Sequence, residues 1–176
     1  MHRSSLCILL LSFFPAACAP GSGSLSQEDV AAITQEVTEA VAGLTEAMNA
    51  HDPDRVFAFY RQDEEFFYLG CTSPMVGWGT FSPRVASYYL AAGEVRFDRE
   101  VVWTQVLSPD VAVVSLKGSS TEAPALFWTE VLQKGANGRW LVTYEHESWP
   151  GCPVPRGPHM GTEGEGETAP ADPGGH

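Results

Sequence analysis

The sequence predicts an α+β domain in which three helices pack on one face of a strongly bent antiparallel sheet. Two observations carry that expectation. Apolar residues recur at spacings of three and four ahead of Gly93, the mark of amphipathic helices, and beyond it the period changes to two across segments joined by short turns. Size agrees: 176 residues, 44% hydrophobic and 18% charged, fit one core and exclude both a wholly disordered chain and a multidomain one.

The first helix is drawn by Val30, Ile33, Val37, Val41, Leu44 and Met48, a single apolar stripe that ends near Asn49 to His51. A second, shorter helix starts at once, with Asp52 as its N-cap and Pro53 at its first position, and carries Val56, Phe57, Phe59 and Tyr60. Phe66 to Leu69 is a short aromatic strand closed by Gly70. The turn-rich run from Cys71 to Gly79 leaves room for a second one around Met75 to Trp78. Ser82 and Pro83 open the third helix and Gly93 ends it, around Val85, Ala86, Tyr88, Tyr89 and Leu90.

Four strands follow. Glu94 to Leu107 is a long one, turned by Ser108, Pro109 and Asp110 into Val111 to Leu116; Ala125 to Lys134 and Arg139 to Trp149 form a hairpin through Gly135, Asn137 and Gly138. Strands joined so tightly are antiparallel neighbours, and no repeat or parallel crossover is visible.

The two ends read differently from this middle. Residues 1–18 carry Arg3, an apolar run of nine residues from Leu6 to Phe14, and then small residues, the order of an export signal. A bilayer-spanning helix needs about 20 apolar residues. Ala16 and Ala17 before Cys18 resemble a bacterial lipobox, with Pro15 departing from its usual aliphatic position, so the expected address is the cell envelope through a lipid on Cys18, or else simple secretion. Residues 19–26 form a flexible tether, residues 27–150 the domain, and residues 151–176 a Gly- and Pro-rich acidic tail without the bulky residues a core requires.

Export bears on the cysteines. With Cys7 removed and Cys18 acylated, Cys71 and Cys152 remain as a pair in an oxidising compartment, where a disulfide between them is the expectation and two free thiols the alternative. Ten Lys and Arg against 22 Asp and Glu leave a net charge of −12, which argues against a nucleic-acid surface. No Cys/His spacing fits a metal site, His159 and His176 of the tail included, and no phosphate-cradling loop or nucleophile elbow is present, so no metal and no cofactor is expected.

The order long helix, short helix beginning AHDPDRV (Ala50 to Val56), aromatic strand, helix and four strands, together with FWTEVLQKGANGRW (Phe127 to Trp140) and the closing GRWLVTYEHES (Gly138 to Ser148), resembles the SnoaL-like branch of the nuclear transport factor 2-like superfamily over about residues 27–149. The resemblance implies a cone, a curved sheet wrapped around helices with an apolar cavity at its open end, and a homodimer through the sheet face. Ketosteroid isomerase, scytalone dehydratase, limonene epoxide hydrolase and polyketide cyclases share that fold with the association domain of calcium/calmodulin-dependent kinase, so the fold leaves the function open.

Simple alternation puts Trp140, Val142, Tyr144, His146 and Ser148 on one face of the last strand and Leu141, Thr143, Glu145, Glu147 and Trp149 on the other. The first set is expected to face the cone. His146 then either meets a ligand or is satisfied by Ser148, a backbone group or a helix end. On the preceding strand Trp128, Glu130 and Leu132 share a face: inward, Glu130 is a candidate general base beside His146; outward, it is a surface acid.

The resembled isomerase needs one carboxylate and two hydrogen-bond donors, which Asp63 or Glu130 with Tyr60 and Tyr68 could mimic by residue type, although no segment aligns with its aspartates. Asp63 opens an acidic run, Asp63 to Glu65, that is a solvated loop or the lip of the pocket. The expected function is binding of a small, largely apolar molecule by Tyr60, Tyr68, Trp103, Trp128, Tyr144 and His146. The alternatives are an isomerase, dehydratase or hydrolase using His146 and a carboxylate, and a dimerising interaction domain.

Overall fold

A computed structural model describes residues 24–71, 74–91 and 95–152. The export segment with Cys18, the beginning of the tether, the helix-ending Gly93 and the tail from residue 153 on lie outside the described residues. Among the described residues no helix is long and apolar enough to cross a membrane.

Helix α1 (Gln27–Asn49) begins with a capping box: the Ser26 hydroxyl accepts from the Asp29 amide at 3.1 Å, and the Asp29 carboxylate accepts from the Ser26 amide at 3.2 Å. Its buried stripe is Ile33, Val37, Val41, Leu44, Ala47 and Met48. Val30, at the exposed end, stays out of the core. Helix α2 (Pro53–Phe57) is capped as the sequence predicts, Asp52 accepting from the Arg55 amide at 3.1 Å.

Strands β1 (Phe67–Leu69) and β2 (Pro74–Val76) precede helix α3 (Trp78–Ala91). This helix starts a full turn before the expected Ser82 and Pro83, and Pro83 lies inside it. The interior proline removes a backbone hydrogen bond. What holds the extra turn is aromatic packing: Trp78 and Phe81 both sit against Tyr60 and Phe66, with Phe81 and Phe66 centroids 4.7 Å apart.

Strands β3 (Phe97–Ser108), β4 (Val111–Ser120), β5 (Leu126–Lys134) and β6 (Trp140–Ser148) complete a six-stranded sheet in the order β2-β1-β6-β5-β4-β3. The last four are antiparallel neighbours, as expected. The exception is β1, which pairs with β6 in parallel, Phe67 opposite Tyr144 and Leu69 opposite His146. Pairing between distant segments leaves no turn signal, and so the sequence gives no sign of it. The segment before β1 also runs along β6: the Arg61 amide donates to the Val142 carbonyl at 2.9 Å and the Val142 amide to Phe59 at 2.8 Å.

Two bulges decide what the sheet turns inward. On β3, Val101 faces Leu116 and Trp103 faces Ser115, so Val102 is an extra residue and the alternation reverses there. On β6, Val142 faces Leu132 and Tyr144 faces Val131, so Thr143 is extra and reverses it again. Gly118 on β4 allows the β3 backbone to come close opposite Arg99; a Cβ there would lie 1.9 Å from the Asp98 carbonyl oxygen. Cys71 and Cys152 form a disulfide, their Cα atoms 5.1 Å apart, tying the end of β1 to the end of β6.

Candidate functional site

Helices α1 to α3 and the concave face of the sheet enclose a cavity of about 510 Å³, within the usual size of small-molecule sites. Its wall is mainly apolar, with Met48, Val56, Met75, Phe81, Phe97 and Leu126 among the lining residues. Tyr60, Tyr68, Glu145 and Glu147 form a polar group in this wall, and Arg84, Tyr88, Ser120 and Glu122 add further polar lining.

The β6 bulge puts Glu145 and Glu147 there. Past Thr143 the odd-numbered residues point inward, so Glu145 is buried in the core and Glu147 lines the cavity beside it. Tyr60 donates its hydroxyl hydrogen to Glu145 Oε2 at 2.7 Å. The Trp128 indole donates to Glu147 Oε2 at 2.8 Å, and Tyr68 lines the cavity beside the same carboxyl.

Beneath them lies a buried ion pair, Arg99 from β3 with Glu130 from β5, both within the core. The Arg99 guanidinium also stacks over the Trp128 ring, 4.8 Å from its centroid. Burial pulls the Arg99 guanidinium toward neutrality more strongly than any one neighbour opposes it, and Glu130, Glu145 and Tyr60 together outweigh it, so it stays cationic. The Nε of Arg99 and Oε2 of Glu130 are buried without hydrogen-bond partners.

Burial and the neighbouring Glu130 charge push the Glu145 carboxyl up to about 8, against the opposing pull of Arg99 and the Tyr60 hydrogen bond. Glu147 is raised as well, by burial first, with Trp128, Arg99 and Tyr68 pulling it back. Tyr60 and Tyr68 are driven upward by burial and by these carboxyls, so both hold their protons at any ordinary pH. The cluster thus contains a carboxylic acid that keeps its proton near neutrality, a second carboxyl, and two phenols. Among the described residues no group of three or more His, Cys, Asp or Glu is arranged to hold a metal ion.

The structure brings some predicted residues together and separates others. Tyr60 and Tyr68 line the cavity, and Trp128 supports it from behind through Glu147. Glu130 faces inward but is taken up by Arg99, away from His146. Tyr144 and His146 correct the expected facing: the bulge turns both to the outer surface of the sheet, where Tyr144 stacks on Phe67 at 5.5 Å and His146 lies between Thr129 and Leu69. Trp103, turned out by the β3 bulge, is 51% exposed and touches no cavity. Asp63 is ion-paired with Arg61 in the loop before β1, outside the cavity wall. Sequence reasoning missed Glu145, Glu147 and Arg99. The only signal for them was three charged residues among strand formers, which alternation alone assigns to the solvent face.

No protein-family model matches the chain, and no curated protein sequence matches it. Solved structures do. An NTF2-like protein of unknown function from Shewanella oneidensis aligns with a TM-score of 0.59 at 20% identity, over 66% of this chain and 98% of its own. A candidate dehydratase of the NTF2-like family from Streptomyces avermitilis aligns with a TM-score of 0.61 at 17% identity, over 69% and 98%. A candidate scytalone dehydratase from Novosphingobium aromaticivorans gives 0.59 at 9% identity, over 69% and 87%. These likenesses show the fold: helices against a curved, largely antiparallel sheet of the NTF2-like kind.

Proposed function

We propose that this chain binds a small, largely apolar molecule in its cavity and orients it by one polar group placed against Glu145 and Glu147. The supporting observation is a mainly apolar cavity of about 510 Å³ into which the carboxyls of buried Glu145 and partly buried Glu147 are set beside Tyr60 and Tyr68. A packed structural core would not keep such a space beside ionisable groups.

A second reading, turnover by acid–base chemistry, is favoured by one specific feature. Glu145, pushed up to about 8, holds a proton at neutral pH beside Glu147, so one carboxyl can donate while the other accepts. In that reading the acid is Glu145 and the base Glu147, in place of His146, Glu130 and Asp63. The dehydratase descriptions of two structural neighbours agree with it without fixing a substrate.

The proposal includes an address. The export signal and Cys18 point to the bacterial envelope, by lipid anchor or by secretion, and the Cys71–Cys152 disulfide agrees with an oxidising compartment. Pairing of two copies through the outer sheet face is also proposed, supported by Trp103 and Phe127, both half exposed there.

Native mass spectrometry of the mature chain from its own envelope tests the binding reading. The expected result is a defined small-molecule adduct lost on unfolding, absent from Val85→Trp, which fills the cavity, and retained by His146→Ala. An empty protein that takes up no apolar probe overturns it. If the molecule identified is turned over, Glu145→Gln abolishes turnover in the second reading and leaves a pure binder's affinity measurable.

A further inference from the structure

The two carboxyls at the polar end of the cavity have no ion pair of their own, although the Arg99 charge beneath them acts on both. Among the described residues Glu145 and Glu147 belong to no ion pair with Lys or Arg, and the cation beneath them, Arg99, is paired with Glu130. Two nearby donors are already engaged, Tyr60 on Glu145 and Trp128 on Glu147. An incoming molecule therefore meets carboxyl oxygen at this end. A carboxylate head group would add a third acid to this end, and a neutral carbonyl could take only the single proton that Glu145 carries, whereas an ammonium brings a donor and a cation to both carboxyls and draws that proton off Glu145.

We propose that the occupant is a small organic amine, its ammonium group held by Glu145 and Glu147 and its apolar body lying along Met48, Val56, Phe81 and Leu126. The inference rests on reading the cavity as a ligand site and names the chemistry of that ligand. Residues two apart on one face of a strand are about 7 Å apart along it, so both carboxyls reach one head group placed between them. Arg84 also lines the cavity, but it is exposed on α3, and exposed Glu122 lines the wall as well.

The test is calorimetry on the mature chain with matched benzyl, phenethyl, cyclohexylmethyl and octyl compounds, each as amine, alcohol and carboxylic acid. The amine is expected to bind at least about tenfold more tightly than its alcohol, the scale of a charge-assisted hydrogen bond over a neutral one, and the acid more weakly than either. Glu147→Gln and Glu145→Gln each lower amine affinity by about tenfold while leaving alcohol affinity within about twofold. Melting curves establish that each variant folds, and either one alone suffices. Alcohols that bind as tightly as amines overturn the amine assignment and leave the binding reading standing. Amine affinity untouched in a folded glutamine variant places the amine elsewhere on this acidic protein and overturns the assignment. Failure of every compound to bind overturns both readings.

Discussion

Tyr60 and Glu145, 85 positions apart in the chain, are joined by a 2.7 Å hydrogen bond inside the core. Tyr60 is brought there by the segment that runs along β6, and Glu145 by the bulge at Thr143 on β6 itself. One strand thus places both partners.

Removing the hydroxyl in Tyr60→Phe takes away a donor that favours the ionised carboxyl, so Glu145 moves further up from about 8. The variant should lose about 1–3 kcal/mol, the usual cost of leaving a buried acceptor unpaired. Denaturant titration measures the loss, and carbon-13 NMR of the Glu145 carboxyl measures the shift. An unchanged titration would mean that the bond does not form in solution.

Stability should fall as pH rises from about 5 to 8. In the unfolded chain Glu145 ionises near its usual 4.5, while the folded protein keeps the proton until about 8, so between these values the folded state binds more protons. The contribution is fully present below the lower value and is lost by the upper one. Glu147, also raised, acts in the same sense. Asp29 and Glu36, held low by Ser26 and by Lys134, act in the opposite sense and only at acid pH; so does Asp63, where Arg61 and the Glu65 and Phe66 amides together outweigh the large opposing effect of burial. Melting temperatures across this range should show the slope, and Glu145→Gln should flatten it.

Arg99→Met leaves Glu130 buried and uncompensated, at a cost of about 3–5 kcal/mol. Adding Glu130→Leu should recover most of it, because a buried pair replaced by apolar side chains is often near neutral. Chemical denaturation of the two variants gives the comparison. Equal losses in both would show that the pair matters through packing against Trp128 and Met48 rather than through charge.

Reducing the Cys71–Cys152 disulfide should lower the melting temperature. The bridge spans 81 positions, and the loop-entropy estimate for that length is about 4–5 kcal/mol as an upper figure. Melting with and without reductant, alongside thiol titration of the untreated protein, checks it. Two titratable thiols and an unmoved curve would exclude the bridge.

The helices were legible because their signals are local: the α1 stripe from Ile33 to Met48, and Asp52 with Pro53 opening α2. The antiparallel strands were legible through their turns. What stayed hidden depends on single inserted residues and distant pairings. Val102 and Thr143 each reverse a strand's alternation, and nothing in their side chains marks them as bulges. Without them Trp103 and His146 face inward and Glu145 outward, the reverse of the structure. Arg99 sits in FDREVV, where a charge looks solvated until Glu130 is seen opposite it. Pro83 reads as a helix start because its local effect is strong, and only the packing of Trp78 and Phe81 outweighs it.

The parallel pairing of β1 with β6 also constrains the order of folding. Among the described residues β1 pairs only with β2, three residues long, and with β6, the last strand of the domain. Short hairpins are marginal alone, and contacts of such long sequence separation slow folding. A chain emerging N-terminus first therefore cannot settle its cavity until Trp140 to Ser148 has followed. By that time nearly the whole domain is available.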